Sequence, residues 1–407
     1  MIPVPSRKPA ILFIFITLVL DIIGIGLIIP ILPELVKQFQ HGDVVAASHS
    51  FGALAALYSL MQFCFAPVLG ALSDRFGRRR VILVSLLGSG LDYFIFAFAP
   101  SLGWLFAARI VSGISGANIA AASAYIADVS PPEKRAGNFG LIGAAFGIGF
   151  IAGPALGGIL GDINLRLPFL VAGGLTLVNW LYGCFVLPES LAPENRRAFS
   201  WKRANPIGSL LGLRDHPIAF GLAGTYFLCN IAHQSFPATW VLYTGYRYGW
   251  KAHQVGISLA LVGVMAALIQ GGLTRVVVRR IGERKTAAIG MTISVLALNA
   301  YGSVNQGWMI YPLIVLGSLG GITGPALQGL VSRNSAANEQ GSVQGALASL
   351  ASVAGVIGPP ILTGLFAFFI RKDTPVHLPG AAFFFSAFLV LCGLILALRS
   401  FRNEVKP

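Results

Sequence analysis

Gly70-Ala-Leu-Ser-Asp74-Arg75-Phe-Gly77-Arg78-Arg79-Arg80 sets five charges into eleven residues, between two apolar runs at 48–70 and 81–99. A hydrocarbon core about 30 Å thick is crossed by about 20 residues of helix, so the stretch reads as a polar turn joining two membrane spans. Working outward, the same alternation of apolar run and short polar break recurs from Ala10 to Leu398. Twelve spans are predicted, near 10–32, 48–70, 81–99, 103–126, 137–160, 167–187, 217–240, 253–274, 286–304, 308–330, 342–370 and 380–399. Backbone polar groups must be satisfied inside each segment in lipid, which leaves helices or a closed barrel. Long unbroken apolar runs exclude the two-residue alternation of barrel strands.

Composition agrees. Of 407 residues, 55% are hydrophobic and 11% charged, against roughly a quarter charged in soluble domains. The run from Ile11 to Leu32, preceded by Arg7 and Lys8, is too long for a signal peptide and lacks a small-residue cleavage pattern. The net charge of +14 would suggest nucleic acid in a soluble protein, but here it sorts by side of the membrane. Lys37, Arg166, Arg247, Lys251, Arg371 and Lys372 fall on one side and Arg109 within a span, leaving 22 of the 29 Lys and Arg on the starting side. The positive-inside rule then makes the membrane lipid, not nucleic acid, the partner of the basic loops, with both termini and the central loop cytoplasmic.

Other classes find little support. No Gly-x-x-x-x-Gly-Lys-Ser/Thr phosphate loop occurs, and His41, His49, His216, His233, His253 and His377 show no pairing spacing, so no enzyme, metal or cofactor is expected. Cys64, Cys184, Cys229 and Cys392 all lie in apolar runs and read as buried thiols.

The chain repeats itself at an offset of 205. Gly77 in the basic turn corresponds to Gly282 in Arg279-Arg-Ile-Gly-Glu-Arg-Lys285, and Gly153-Pro154 to Gly358-Pro359. The reading is an all-α membrane protein of twelve transmembrane helices in two pseudo-symmetric six-helix bundles, 1–187 and 217–407. The polar stretch 188–216, with Glu189, Glu194, Arg196, Arg197, Lys202 and Arg203, is the cytoplasmic linker. In such plans substrate sites lie between the repeats near the midplane.

Charges at the bilayer centre cost about 2.5–3.5 kcal/mol on insertion scales, so each needs a partner or a purpose. Asp21 lies roughly 16 Å deep at 1.5 Å per residue. Asp92 and Arg109 are placed at similar depth on adjacent spans, where they are expected to pair. The second half has no acidic residue within a span, which concentrates proton carriage in the first. A guanidinium that approaches or leaves a buried carboxylate changes how readily it ionises, so motion of Arg109 is a way to couple protons to transport. Asp21 is read as the proton and substrate-charge group, and Asp92 chiefly as a brace for Arg109.

For the substrate cavity, Tyr226, Asn230, His233 and Gln234 recur at helical spacing in the seventh span, with Gln62, Gln270, Asn299 and Gln328 in others. An apolar pocket with few orienting polar groups suits amphiphilic ligands; interhelical hydrogen bonding is the plainer role.

Several of these runs resemble motifs of the major facilitator superfamily. The Gly70–Arg80 turn is similar to its cytoplasmic loop motif, which implies a latch between halves made by Gly70, Asp74, Arg75, Gly77 and Arg78, with Asp128 as charge partner. Gly149-Phe-Ile-Ala-Gly153-Pro154-Ala-Leu-Gly157-Gly158 resembles the antiporter motif of its drug exporters, and from the residues alone predicts close helix contact on one face with a bend. Leu20-Asp21-Ile-Ile-Gly24-Ile-Gly26 through Pro30 and Pro33, and Arg109-Ile-Val-Ser-Gly113-Ile-Ser-Gly116, resemble motifs of the drug:proton antiporter branch.

With Leu91-Asp92-Tyr93, Ile126-Ala-Asp128, Pro188-Glu189 and Pro325-Ala-Leu-Gln-Gly329, the similarity extends over nearly the whole chain to the tetracycline efflux proteins. It implies a major facilitator fold working as a monomer in the bacterial inner membrane and exporting drugs or other small amphiphiles against protons. The chain departs from that subfamily at Ala266 and Val295, where a histidine and an aspartate are expected, so its substrate need not be tetracycline. The alternative is an exporter or symporter of a metabolite or siderophore-like solute on the same fold.

Overall fold

A computed structural model describes residues 11–116, 119–130, 132–196, 217–333 and 340–403. Of the expected linker, Arg197, Lys202, Arg203 and His216 lie outside the described residues, as do Arg7 and Lys8. The described chain is helical throughout, with no strand.

The twelve spans appear in the order the sequence gives. The first is Ile11–Ile28 and, after a three-residue break at Pro30, the short Leu32–Phe39; proline supplies no amide hydrogen to continue a helix. The second is Val44–Phe76, begun by Asp43, whose carboxylate accepts from the amides of Val45 at 2.8 Å and Ala46 at 3.2 Å. Such a cap contributes about 1 kcal/mol. The third is Arg78–Phe98, the fourth Leu102–Ser115 with Ile119–Val129, the fifth Pro132–Ile163 and the sixth Leu167–Val186.

The seventh span runs Pro217–His233, turns at Gln234, and continues Ser235–Tyr248 to a left-handed cap at Gly249, longer than the expected 217–240. The tenth comprises Ile310–Ser318, a 3₁₀ turn Leu319–Ile322 and Thr323–Arg333; Gln340–Ile370 and Ala381–Asn403 are the eleventh and twelfth.

Between them, Ala252–Ser303 forms one helical line of 52 residues. At 1.5 Å per residue that is about 78 Å, more than twice a hydrocarbon core. The line folds at Gly282, the one residue inside it with non-helical angles, so the eighth span precedes Gly282 and the ninth follows. Five residues of the eighth, Ile269–Leu273, form a π turn.

Gly77 and Gly282 adopt the same backbone conformation, φ 100° and ψ 149° against φ 79° and ψ 165°. A positive φ is open to glycine at little cost and to other residues rarely. Pro154 and Pro359 likewise fall inside corresponding long helices. The repeat read from the sequence is thus repeated in backbone geometry.

Within the first half, the first span packs on the fifth and sixth, the third on the fourth and sixth, and the second on the fourth. In the second half, the seventh packs on the eleventh and twelfth, the ninth on the tenth and twelfth, and the eighth on the tenth. The second span with the eleventh and the fifth with the eighth form the main joints between the halves, and Ser235–Tyr248 of the seventh adds smaller contacts with the second span and with Leu32–Phe39 of the first.

Those joints are tight from the end away from the basic turns to mid-membrane. A Cβ on Gly158 would lie 2.6 Å from the Ala252 carbonyl oxygen, one on Gly256 2.4 Å from that of Pro154, one on Gly263 2.8 Å from that of Phe150, and one on Gly52 would strike the Thr363 hydroxyl. At the basic end, no described residue lies within 4 Å of a Cβ placed on Gly70, Gly140, Gly143, Gly271 or Gly272. Among the described residues, the close contacts between the halves therefore thin out toward the end carrying Asp74–Arg80.

The expectation of buried thiols is not met. Cys64 is exposed, and Cys184, Cys229 and Cys392 are half-buried and unpaired. In a bundle this thin an apolar position faces outward as readily as inward, so apolar sequence alone does not bury a side chain.

Candidate functional site

The three charges expected in mid-membrane converge. Asp21, Asp92 and Arg109 line one cavity of about 40 Å³ together with Tyr58, Ser89, Tyr93, Ser112 and Gly116, room for a water or two. Asp21 and Asp92 are 5% and 1% exposed, so both carboxyls are withdrawn from bulk solvent. The Ser112 hydroxyl donates to Asp92 Oδ2, while Asp92 Oδ1 is buried without a hydrogen-bond partner.

Arg109 does not form the ion pair with Asp92 that the sequence suggests; no such pair within 4 Å exists among the described residues. Its guanidinium lies instead over the rings of Tyr58 at 5.1 Å and Phe96 at 5.3 Å, and its Nε has no hydrogen-bond partner. The reason is steric. Phe96 is fully buried and stacked on Phe169 at 5.5 Å, and Tyr58 reaches across from the second span, so two aromatic faces hold the cation that a carboxylate was expected to hold.

The antiporter motif shapes the wall behind Asp21. Gly149, Gly153 and Gly157 meet the first span: a Cβ on Gly153 would lie 2.6 Å from Gly26 Cα, and one on Gly157 2.1 Å from the Leu27 carbonyl oxygen. Close contact is thus present, but not on one face as expected. Gly158 and the Pro154 carbonyl turn to the eighth span, so the motif helix is pressed between the first span and the opposite half. At its far end Asp162 accepts from the His253 amide at 3.3 Å and contacts His253 Nδ1, closing the same joint.

Of the expected cavity residues, Tyr226 and Gln328 join, Gln328 Nε2 donating to the Tyr226 hydroxyl at 3.3 Å. Asn230 turns back on its own helix, donating to the Tyr226 carbonyl at 2.8 Å. His233 is exposed, and Gln270 is exposed on the π turn. Gln234 does not share a continuous helical face with the others. It occupies the break in the span and packs on Gly355 and Gly358 of the eleventh. Gln62 does not line the acidic cavity but supports its wall, donating to the Tyr58 hydroxyl at 2.9 Å. Asn299, like Asn230, bonds the carbonyl four residues back. Ala266 and Val295 are half-buried.

At the basic end, Arg78 pairs with Asp74 at 2.5 Å and Asp128 at 3.2 Å and donates to Ser73 Oγ at 2.6 Å. Glu189, which the sequence placed only in the linker, accepts from the amides of Arg78 at 2.8 Å and Arg79 at 3.4 Å. It caps the third span where a side chain on Gly77 would otherwise sit, since a Cβ there would fall 2.2 Å from Glu189 Oε2. Ser190 Oγ adds a bond to Asp128 at 3.0 Å. Arg75 stays outside this network, its guanidinium over Phe76 at 5.0 Å. A cavity of about 560 Å³ opens beside it, lined by Asp74, Arg78, Asp128, Glu194, Asn195 and Arg196.

Sequence reading missed Tyr58, Ser112 and Glu189. Tyr58 and Gln62 stand four apart and Ser112 three after Arg109, spacings that place each pair on one helix face. Among the described residues no cluster of three or more His, Cys, Asp or Glu is arranged to hold a metal.

The family model described as Major Facilitator Superfamily matches residues 14–359 and 277–407. The chain belongs to the major facilitator superfamily. Within this superfamily it is 44% identical over 358 residues to tetracycline resistance protein, class C, of Escherichia coli, 88% of this chain and 90% of that one. It is 38% identical to the class B protein of the same organism, covering 88% and 87%. Among solved structures, the human organic anion transporter MFSD10 aligns at TM-score 0.70 and 25% identity over 97% of this chain and all of its own. A bacterial homologue of the human lysosomal transporter Spinster, inward-facing and occupied, aligns at 0.79 and 14% identity, covering 98% and 97%. The chain is a multi-pass membrane transporter and not an enzyme.

Proposed function

We propose that this major facilitator protein exports drugs or similar small amphiphilic molecules from the bacterial cytoplasm in exchange for protons. The observation that carries the reading is the convergence of Asp21, Asp92 and Arg109 on one small cavity in the first half, beside halves pressed together from the end away from the basic turns to mid-membrane. A carboxyl kept in lipid at a cost of several kcal/mol has its use in taking up and losing a proton as the halves rock. The relatives named for tetracycline resistance support export as the direction.

The protein works as a monomer in the inner membrane, with the basic turns and both termini cytoplasmic, because Lys and Arg are retained on that side. The close contacts between the halves thin out toward the basic end, so the state at hand opens to the cytoplasm. Asp21 carries the proton, Tyr226, Gln328, His233 and Gln270 orient the solute, and the Asp74–Arg78–Asp128 network latches the cytoplasmic end. Ala266 and Val295 favour a solute other than tetracycline.

The test is a pump-deleted host given the intact chain or Asp21→Asn and challenged with tetracycline, norfloxacin and ethidium. Everted vesicles then report uptake of whichever compound the intact chain resists. The intact chain should confer resistance to at least one compound and move it only with a pH gradient. Gradient-independent movement, or full proton-driven transport by Asp21→Asn, overturns the reading.

A further inference from the structure

We propose that Tyr58 is a positioning residue for proton exchange: its ring holds Arg109 away from the Asp92 carboxyl, and thereby sets the pH at which the cavity exchanges its proton. This rests on the reading of the cavity as the proton site. A guanidinium in one cavity with a buried carboxyl would be expected to pair with it. Here it lies over the faces of Tyr58 and Phe96, a contact that desolvation strengthens, while Asp92 Oδ1 stays unpartnered.

Of the two rings, Phe96 is locked in the core of the first half. Tyr58 comes from the second span, where a Cβ on Gly113 of the fourth span would lie 2.7 Å from its carbonyl oxygen and one on Gly116 3.0 Å from its hydroxyl, which Gln62 also holds. The ring is thus fixed against the span that bears Arg109. The titratable and charged groups facing it are Asp21 of the first span, Asp92 and Tyr93 of the third and Arg109 of the fourth. Residues 345–370 of the eleventh contribute none.

With the ring removed, Arg109 is free to settle against a carboxyl, which then gives up its proton more readily, an effect of about one to three pH units for an opposite charge at contact. The experiment reads protonation itself, so it does not depend on finding a transported compound. Purified protein in nanodiscs is titrated while the carboxyl C=O stretch is followed by infrared spectroscopy, with Asp21→Asn and Asp92→Asn assigning the bands.

Tyr58→Leu should move the midpoint down by about one unit or more, and Tyr58→Phe, which keeps the ring face, should leave it nearly in place. Should Tyr58→Leu not fold, phenylalanines of increasing fluorination at position 58 preserve the shape while draining the ring of π density, and the midpoint should fall with each fluorine. A midpoint indifferent both to Leu and to fluorination overturns the proposal. If no band titrates and Asp21→Asn and Asp92→Asn leave the spectrum unchanged, the proton site itself is misassigned.

Discussion

Adding one methyl group at Gly158 should tip the carrier toward the state open at the opposite end. The Cβ of Gly158→Ala would lie 2.6 Å from the Ala252 carbonyl oxygen and 2.9 Å from His253 Cα, and that of Gly256→Ala 2.4 Å from the Pro154 carbonyl oxygen. Ordinary contacts begin near 3.4 Å, so the fifth and eighth spans must separate by about 1 Å at the joint. A backbone oxygen cannot rotate away as a side chain can.

Overpacking of this size costs about 1–3 kcal/mol. Because the contact lies between halves, the cost falls on the closed joint and not on either bundle, which converts to a shift of about 5- to 150-fold in the ratio of the two states. With the four native cysteines replaced, spin labels at Ser101 and Gln306, exposed at that end on different halves, report the ratio by double electron–electron resonance. Gly143→Ala, on the same span with no described residue within 4 Å, is the control. Distance distributions of Gly158→Ala and Gly256→Ala that superimpose on the control would refute the claim that this joint is the closed gate.

Two further outcomes follow from the cap on the third span and the contact of Asp162 with His253. Gly77→Ala should lose more thermal stability than Gly282→Ala in detergent: both place alanine in a positive-φ region that is nearly glycine's alone, at about 1–3 kcal/mol each, but only the first displaces Glu189 from the amides it caps. Equal losses would show that Glu189 adds nothing there. With the same spin labels, Asp162→Ala, which removes the acceptor that the His253 amide and ring share, should lower the closed fraction. A ratio of states unchanged by the substitution would show that this contact adds nothing to the joint.

What the sequence made legible was what lipid forbids: charges in apolar runs, a dense basic turn, glycine and proline recurring at one offset. Each is rare enough in a membrane helix to point at itself. The partners of those residues were not legible, because serine, tyrosine and phenylalanine are ordinary in a span and nothing in the pattern separates a helix face packed on protein from one packed on lipid. Arg109 illustrates the difference. Its presence near Asp92 was readable from two span lengths, but its rest against Tyr58 and Phe96 depends on the crossing of the second, third and fourth spans. The break at Gln234 was legible but not used. Pro237, three residues on, has no amide to donate to the carbonyl of His233, yet the span was read as one continuous helix.

The offset of 205 also shows where the halves have diverged. It carries Gly77 to Gly282 and Pro154 to Pro359, and it carries Asp21 to Tyr226, Asp92 to Ala297 and Arg109 to Ile314. Ile314 is fully buried in the core, and near it Phe236, Trp240, Tyr301 and Phe383 stack edge to face, with Trp240 donating to Ser258 at 3.0 Å and Tyr243 to the Tyr301 carbonyl at 2.7 Å. The second half keeps the scaffold of the first and fills the position of its charges with packing. Close-packed aromatics resist deformation, so the second half moves as a body, and the energy that moves it has to enter through the first, chiefly at the second and fifth spans, where the two make their main joints.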